Sequence, residues 1–437
     1  MSIYSRQDRH LPVRPDLDQL KHQAKDLLKA VRNGEPEAIE EFNEHHPDPP
    51  APVEAQLADA QLALARAYEA PNWARLVQAC ELVAAIWRDD IDAVRGLVVK
   101  HPNLIHEDAL VRKSNWGPPM SYAANLGRNE IIKLLADLGA TDFEHALDRA
   151  VLQSKIDTAE LLHGYLGSPP PPDGALAGPA YTLSVSGTAF ALRVGARVVD
   201  ANGKNISPAD VVLETDSRKP DAKHGILEMY TAHGVVFPDT PIWAFHRGRI
   251  DLLEEHLRRD PDLLSYRFSH EEIFPPEIGC HDEVLATQGT PLGGSTLLHM
   301  AIEFDEDEIF DWLITNGADI NARSAIGENG FGGYTPLFST VMSQPNFWLN
   351  YSGGRGSTRF TERLLELGAD TSIRGSIRKK LHPGYAPRYD TENWHEYREV
   401  TALEFGEQFH AKVFVSEPSL ELIRARTERQ NVQNIDH

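Results

Sequence analysis

Gly294-Ser-Thr-Leu-Leu-His-Met-Ala-Ile-Glu-Phe-Asp-Glu-Asp-Glu-Ile-Phe-Asp-Trp-Leu-Ile-Thr-Asn-Gly-Ala-Asp-Ile-Asn-Ala-Arg323 is the stretch from which the fold is read. Its first part, from Thr296, starts a short helix. Ile309, Trp312 and Leu313 then recur at helical spacing on one face of a second helix. Gly317 stops that helix at a position where φ > 0 costs a glycine nothing. Two helices this short cannot bury their apolar faces alone, so the unit requires stacked neighbours.

The opening Thr296-Leu-Leu-His-Met-Ala301 and the closing Gly317-Ala-Asp-Ile-Asn-Ala322 resemble the ankyrin family, in its bacterial-type form with degenerate repeats and long finger insertions. Other copies lie on both sides. Pro119–Ala124 with Gly127–Ala140, Thr240–Phe245 with Ile250–Leu257, and Tyr334–Phe338 with Phe360–Asp370 are the clearer ones. Ala84–Val98, Ala146–Leu166 and Val400–Leu403 with Leu420–Arg424 are weaker. Tyr181–Val194 reads either as a strand or as a helix pair; Gly195-Ala196 at the terminator position favours the pair. The expected fold is therefore all-α, an ankyrin-repeat solenoid of about 8–9 helix-pair units. The expected divisions are a helical cap at 1–80, first repeats at 81–167, a Pro-rich connector at 168–176, repeats with enlarged fingers at 177–425, and a polar tail at 426–437. For His299 the resemblance implies a structural role, a hydrogen bond between neighbouring repeats.

Composition narrows the function. The net charge of -22 disfavours the phosphate backbone of nucleic acid and makes a basic partner electrostatically easier. Cys80 and Cys280 are the only cysteines, too few for a disulfide framework or a Cys-based zinc site. No apolar run is long enough to span a bilayer and the N-terminus lacks a signal-peptide core, so a reducing cytoplasm is expected.

The departures from the repeat point to a site. Thr296 to Gly317 is a step of 21 residues, whereas Thr335 to Gly368 is 33. The enlarged segments, 265–295, 343–358 and 375–399, should emerge on one side of the stack. They are crowded with aromatic, acidic, basic and histidine residues, as a pocket would be. Acid–base candidates are Glu271, Glu277, His281, Asp282 and His395. Candidates for ligand contact are His270, Phe274, Phe331, Trp348, Tyr351, Arg355, Arg378, Tyr385, Tyr389, Trp394 and Tyr397.

Sharper motifs fail. His106-Glu107, His270-Glu271 and His395-Glu396 each lack the second histidine of a helical zinc peptidase, the positions holding Leu110, Phe274 and Glu399. Loop histidines could still form a dispersed metal site, but no metal or cofactor is expected. The glycines of 327–333 and 353–356 lack the spacing of a phosphate-binding loop and read as turns. Cys280 reads as inert. The resemblance implies an interaction scaffold presenting a groove and fingers to a protein partner. Its rival is an enzyme or small-molecule receptor whose pocket is closed by the fingers at 264–400. Self-association through a terminal unit is a third reading.

Overall fold

A computed structural model describes residues 9, 11–283, 289–342, 358–385 and 389–435. The chain is mostly helical and divides into two units, 1–171 and 172–437.

The first unit holds α1 (Leu17–Arg32), α2 (Pro36–His45), α3 (Leu57–Ala67), α4 (Trp73–Trp87), α5 (Ile91–Lys100), α6 (Pro119–Leu126), α7 (Asn129–Asp137), α8 (Phe143–Leu152) and α9 (Ile156–Tyr165). Asp16 caps α1 by accepting from the amides of Asp18 and Gln19. Leu20, Ala24, Leu27 and Val31 line its buried face against Phe42, Leu64 and Leu76. From α4 onward the helices come in pairs, α4/α5, α6/α7 and α8/α9, with α4, α6 and α8 stacked in sequence.

The second unit holds α10 (Ala177–Tyr181), α11 (Val185–Arg193), α12 (Ala209–Glu214), α13 (Pro220–Ala232), α14 (Pro241–His246), α15 (Ile250–Arg259), α16 (His270–Ile273), α17 (Leu297–Glu303), α18 (Asp307–Thr315), α19 (Pro336–Val341), α20 (Arg359–Glu366), α21 (Ala402–Gln408) and α22 (Glu417–Ile435). The segment 181–194 thus holds the end of α10, a turn and α11, and no strand. The pairs α17/α18, α19/α20 and α21/α22 stack through their first helices, and α20 packs on α22. Gly317 takes φ +88°, as a helix terminator requires. One continuous core runs from Leu176 to Ile423.

Two segments differ from the sequence reading. The finger at 375–399 is not all loop: β1 (Gly375–Lys379) pairs antiparallel with β2 (His395–Val400), so the chain is not purely α. Residues 426–435, read as a polar tail, continue α22 through Ile435. A helix with no apolar stripe beyond its first turns gives sequence periodicity nothing to detect. The insertion at 343–358, with Trp348, Tyr351 and Arg355, lies outside the described residues except for its last position. No described helix is long and apolar enough to cross a membrane.

His299 joins one pair to the next. It is fully buried; its Nδ1 accepts from the Thr296 hydroxyl at 3.0 Å and its Nε2 donates to the Tyr334 carbonyl at 3.2 Å. Acceptance at Nδ1 requires the neutral ring, and burial lowers its pKa from 6.5 to about 4 against the Tyr334 carbonyl, which favours the charged form. The sign follows directly. Below pH 6.5 the unfolded chain binds a proton that the folded chain refuses, so stability is complete above 6.5 and declines as pH falls toward 4. Removing the ring orphans two buried polar groups, and His299→Ala should cost about 2–4 kcal/mol. Urea unfolding at pH 7.5 and pH 5 checks both effects: wild type should lose stability at the lower pH, and the variant should lose less.

Candidate functional site

Backbone hydrogen bonds tie adjacent fingers of the second unit into one ribbon. Phe268 and Ser295 form a bridge, and the Phe268 carbonyl accepts from Gly294 at 2.7 Å. Ala325 donates to the Gly294 carbonyl at 2.8 Å. Within the next finger Ser324 donates to the Tyr334 carbonyl at 2.9 Å, and Gly332 bridges Ser376 of β1 in both directions, at 2.8 and 2.9 Å. β2 completes the ribbon. Its register with β1 runs Gly375↔Val400, Ile377↔Tyr397, Arg378↔Glu396 and Lys379↔His395. An extra residue is absorbed on β2, where Glu399 takes φ +49° and lets both Tyr397 and Val400 face inward.

Glycine permits these close approaches. A Cβ on Gly375 would lie 2.7 Å from the Tyr334 backbone, and one on Gly294 would lie 3.0 Å from the Ala325 side chain. Strand alternation then divides β1: Ile377 and Lys379 point into the core while Arg378 faces out.

Above the ribbon lies an open recess of about 600 Å³. The first finger contributes Tyr266, Arg267, His270 and Glu272; the second contributes Ala325, Ile326 and Phe331; the sheet region adds Arg378 and Trp394. The Arg378 guanidinium lies over Trp394 at 4.2 Å and over Phe331 at 5.7 Å, and Arg398 covers Phe331 at 4.2 Å. The result is a ladder of alternating rings and guanidinium planes. Glu272 caps α16 through the Ser269 amide and accepts from the Tyr266 hydroxyl at 3.0 Å. His270 donates from Nε2 to the His281 carbonyl at 2.9 Å, leaving Nδ1 without a partner among the described residues.

Of the ligand-contact residues expected from sequence, His270, Phe331, Arg378 and Trp394 line this recess. Phe274 and Tyr397 are core residues. Phe274 packs against His246 and Phe304, and the buried Tyr397 hydroxyl bonds His410 Nδ1 at 2.7 Å. Tyr389 packs edge-on against Phe414. Tyr385 ends a single 3-10 turn, Pro383–Tyr385. Arg267 and Ile326 were not legible as site residues, because nothing local marks which finger residues face the recess.

The acid–base candidates do not line it. Glu271, Glu277 and Asp282 are exposed. His281 pairs with Glu214 at 2.6 Å, a hydrogen bond that raises the imidazole pKa. His395 stacks on His410 with ring centroids 3.6 Å apart and approaches Asp390 at 3.2 Å. Burial, with His395 alongside, lowers His410 to about 4. Cys280 is buried, and burial together with Glu214 and Asp210 pushes its thiol far up, so it carries no thiolate.

Lys379 is buried and lowered to about 8 by desolvation against the pull of Glu303 and Glu283, a placement that only the strand pairing reveals. Among the described residues no group of three or more His, Cys, Asp or Glu side chains is placed to hold a metal ion.

Residues 293–322 match the family model for the ankyrin repeat. That stretch comprises α17, α18 and the two glycines ahead of them, and of these Gly293 and Gly294 line the recess. No curated protein matches the chain.

Proposed function

We propose that the chain is an ankyrin-repeat interaction protein, a stack of about 8–9 helix-pair units that captures a protein partner at the finger-face recess of residues 172–437. The observation that carries this reading is the gathering of exposed apolar side chains at one place. Tyr266, Ile326 and Trp394 are 45%, 64% and 39% exposed, and all three line the recess. Exposed large apolar groups that cluster in a concavity mark an interaction site, whereas scattered ones do not. The match at 293–322 supports the same reading, since the ankyrin repeat is an interaction element. The rival reading as an enzyme is weaker, because Glu271, Glu277 and Asp282 are exposed away from the recess. Two free, buried cysteines suit a reducing compartment.

A photo-crosslinking amino acid at Ile326 of the full chain, activated in the host cell, tests the reading. A defined protein adduct is expected, and Trp394→Ala should abolish it while leaving the unfolding curve nearly unchanged. If the same adducts form from a crosslinker at Val53, which is 79% exposed in the first unit, the recess is not the site.

A further inference from the structure

We infer that the recess takes an acidic peptide segment, with a carboxylate side chain seated on Arg378 beside an aromatic or aliphatic residue; this rests on the interaction reading above and names its ligand.

The chain carries 65 acidic and 43 basic side chains, so its arginines have carboxylates in excess. In the second unit most are answered: Arg218 by Glu303, Arg247 by Glu228, Arg359 by Asp305 and Asp307, Arg374 by Glu404. Arg267 and Arg378 are exceptions, and both line the recess. Arg267 donates only to the carbonyls of Arg323 and Ser265, at 2.8 and 2.7 Å. Arg378 has rings on its faces and no carboxylate partner among the described residues. Stacking fixes the guanidinium plane but leaves its N–H edges unused. A held, planar fork of donors matches a carboxylate in bidentate fashion and loses little entropy on binding.

The acids in the recess, Glu272 and Glu283, form no ion pair with either arginine among the described residues. Both oxygens of Glu272 are engaged, by the Tyr266 hydroxyl and the Ser269 amide. Glu283 is exposed at the edge of the recess. Their presence nonetheless selects among anions: a singly charged carboxylate is tolerated beside Glu283 where a doubly charged phosphate is repelled. Tyr266 and Ile326 at the rim supply the apolar contact that a free small anion would leave unfilled. The local chemistry therefore runs opposite to the net charge, which alone would favour a basic partner.

Panning a random heptapeptide library on the full chain, with counter-panning on Arg378→Gln, tests the inference. The expected outcome is enrichment of Asp or Glu next to an aromatic or aliphatic residue. Synthetic winners should bind the full chain at least about tenfold more tightly than Arg378→Gln, and raised salt should weaken them. Circular dichroism and thermal unfolding of Arg378→Gln should match wild type, because the side chain is only half-buried. Winners without acidic residues, or winners indifferent to Arg378→Gln, overturn the inference. If such winners still lose binding in Trp394→Ala, the interaction reading survives and only the ligand class falls. If no winner depends on Trp394, both fall. A phosphoserine version that outbinds its glutamate counterpart overturns the carboxylate assignment.

Discussion

Replacing Glu306 with alanine should destabilise the second unit by about 3–5 kcal/mol, the largest loss expected from any single side chain in it. Glu306 and Lys223 are both buried, with Oε1 and Nζ 2.6 Å apart. His224 Nε2 lies 3.0 Å from the same oxygen, and the ammonium sits over Phe304 at 4.6 Å and Phe245 at 5.3 Å. Burial alone would raise the Glu306 carboxyl, but Lys223 and His224 together hold it below its ordinary value, so it is ionised at neutral pH. Truncation removes the counter-ion from an amine whose pKa burial already lowers, so Lys223 must either keep an uncompensated charge between two phenyl faces or give up its proton, and both cost stability. The pair also has a mechanical role, because it ties α13 to the junction of α17 and α18, on which the fingers stand. The combined variant Lys223→Met, Glu306→Leu removes both charges and keeps most of the volume. It should recover at least half of the loss, and urea unfolding of the two variants side by side measures this. Equal destabilisation in both would mean that packing, not the orphaned ammonium, sets the cost.

What was legible in the sequence follows from how locally each feature is encoded. The helix pair at 297–315 is encoded within its own residues: a threonine cap, helical apolar spacing, and Gly317 where φ must be positive. The sheet is not. β1 carries Arg378 outward but Lys379 inward, so its polar residues do not alternate with apolar ones, and the bulge at Glu399 breaks the period of β2. A lysine directed into the core cannot be inferred without knowing that the buried Glu303 acts on it there. The recess was legible in its residue types, as Phe331, Arg378 and Trp394 show, but not in its assignments. Glu277 and Asp282 belong to the same finger as Tyr266 and His270 and face elsewhere, a distinction made by the Phe268–Ser295 bridge rather than by composition. Net charge is likewise not a local quantity: an average over the whole chain says little about two arginines on one recess.

Gly332→Ala should detach the second finger and abolish the recess. Gly332 has φ +130°, a conformation that an L side chain rarely adopts, and a Cβ there would collide with the Ala325 carbonyl and lie 2.8 Å from the Ile326 Cα. Neither neighbour is a flexible side-chain end. Ala325 is itself fixed by its bond to the Gly294 carbonyl, so the strain cannot be relieved by a small shift. If the finger held its place the cost would be about 3–5 kcal/mol, within the range of severe backbone strain combined with overpacking. The lower-energy response is to give up the two Gly332–Ser376 bonds and let residues 324–334 lift away. Phe331 then leaves with them, Arg378 and Arg398 lose the ring between them, and a carboxylate would meet an unsupported guanidinium. Hydrogen exchange should accelerate at Gly332 and Ser376 while the amides of α17 and α18 remain protected. Gly330→Ala is the control. It shares the positive φ, +79°, but its Cβ would meet nothing nearer than Arg398 Nη1 at 4.0 Å. Its cost should be confined to about 1–2 kcal/mol of backbone strain, with peptide binding retained. Similar exchange in the two variants would show that the Gly332 contact with Ala325 does not hold the finger, and the ribbon would lose its role in shaping the site.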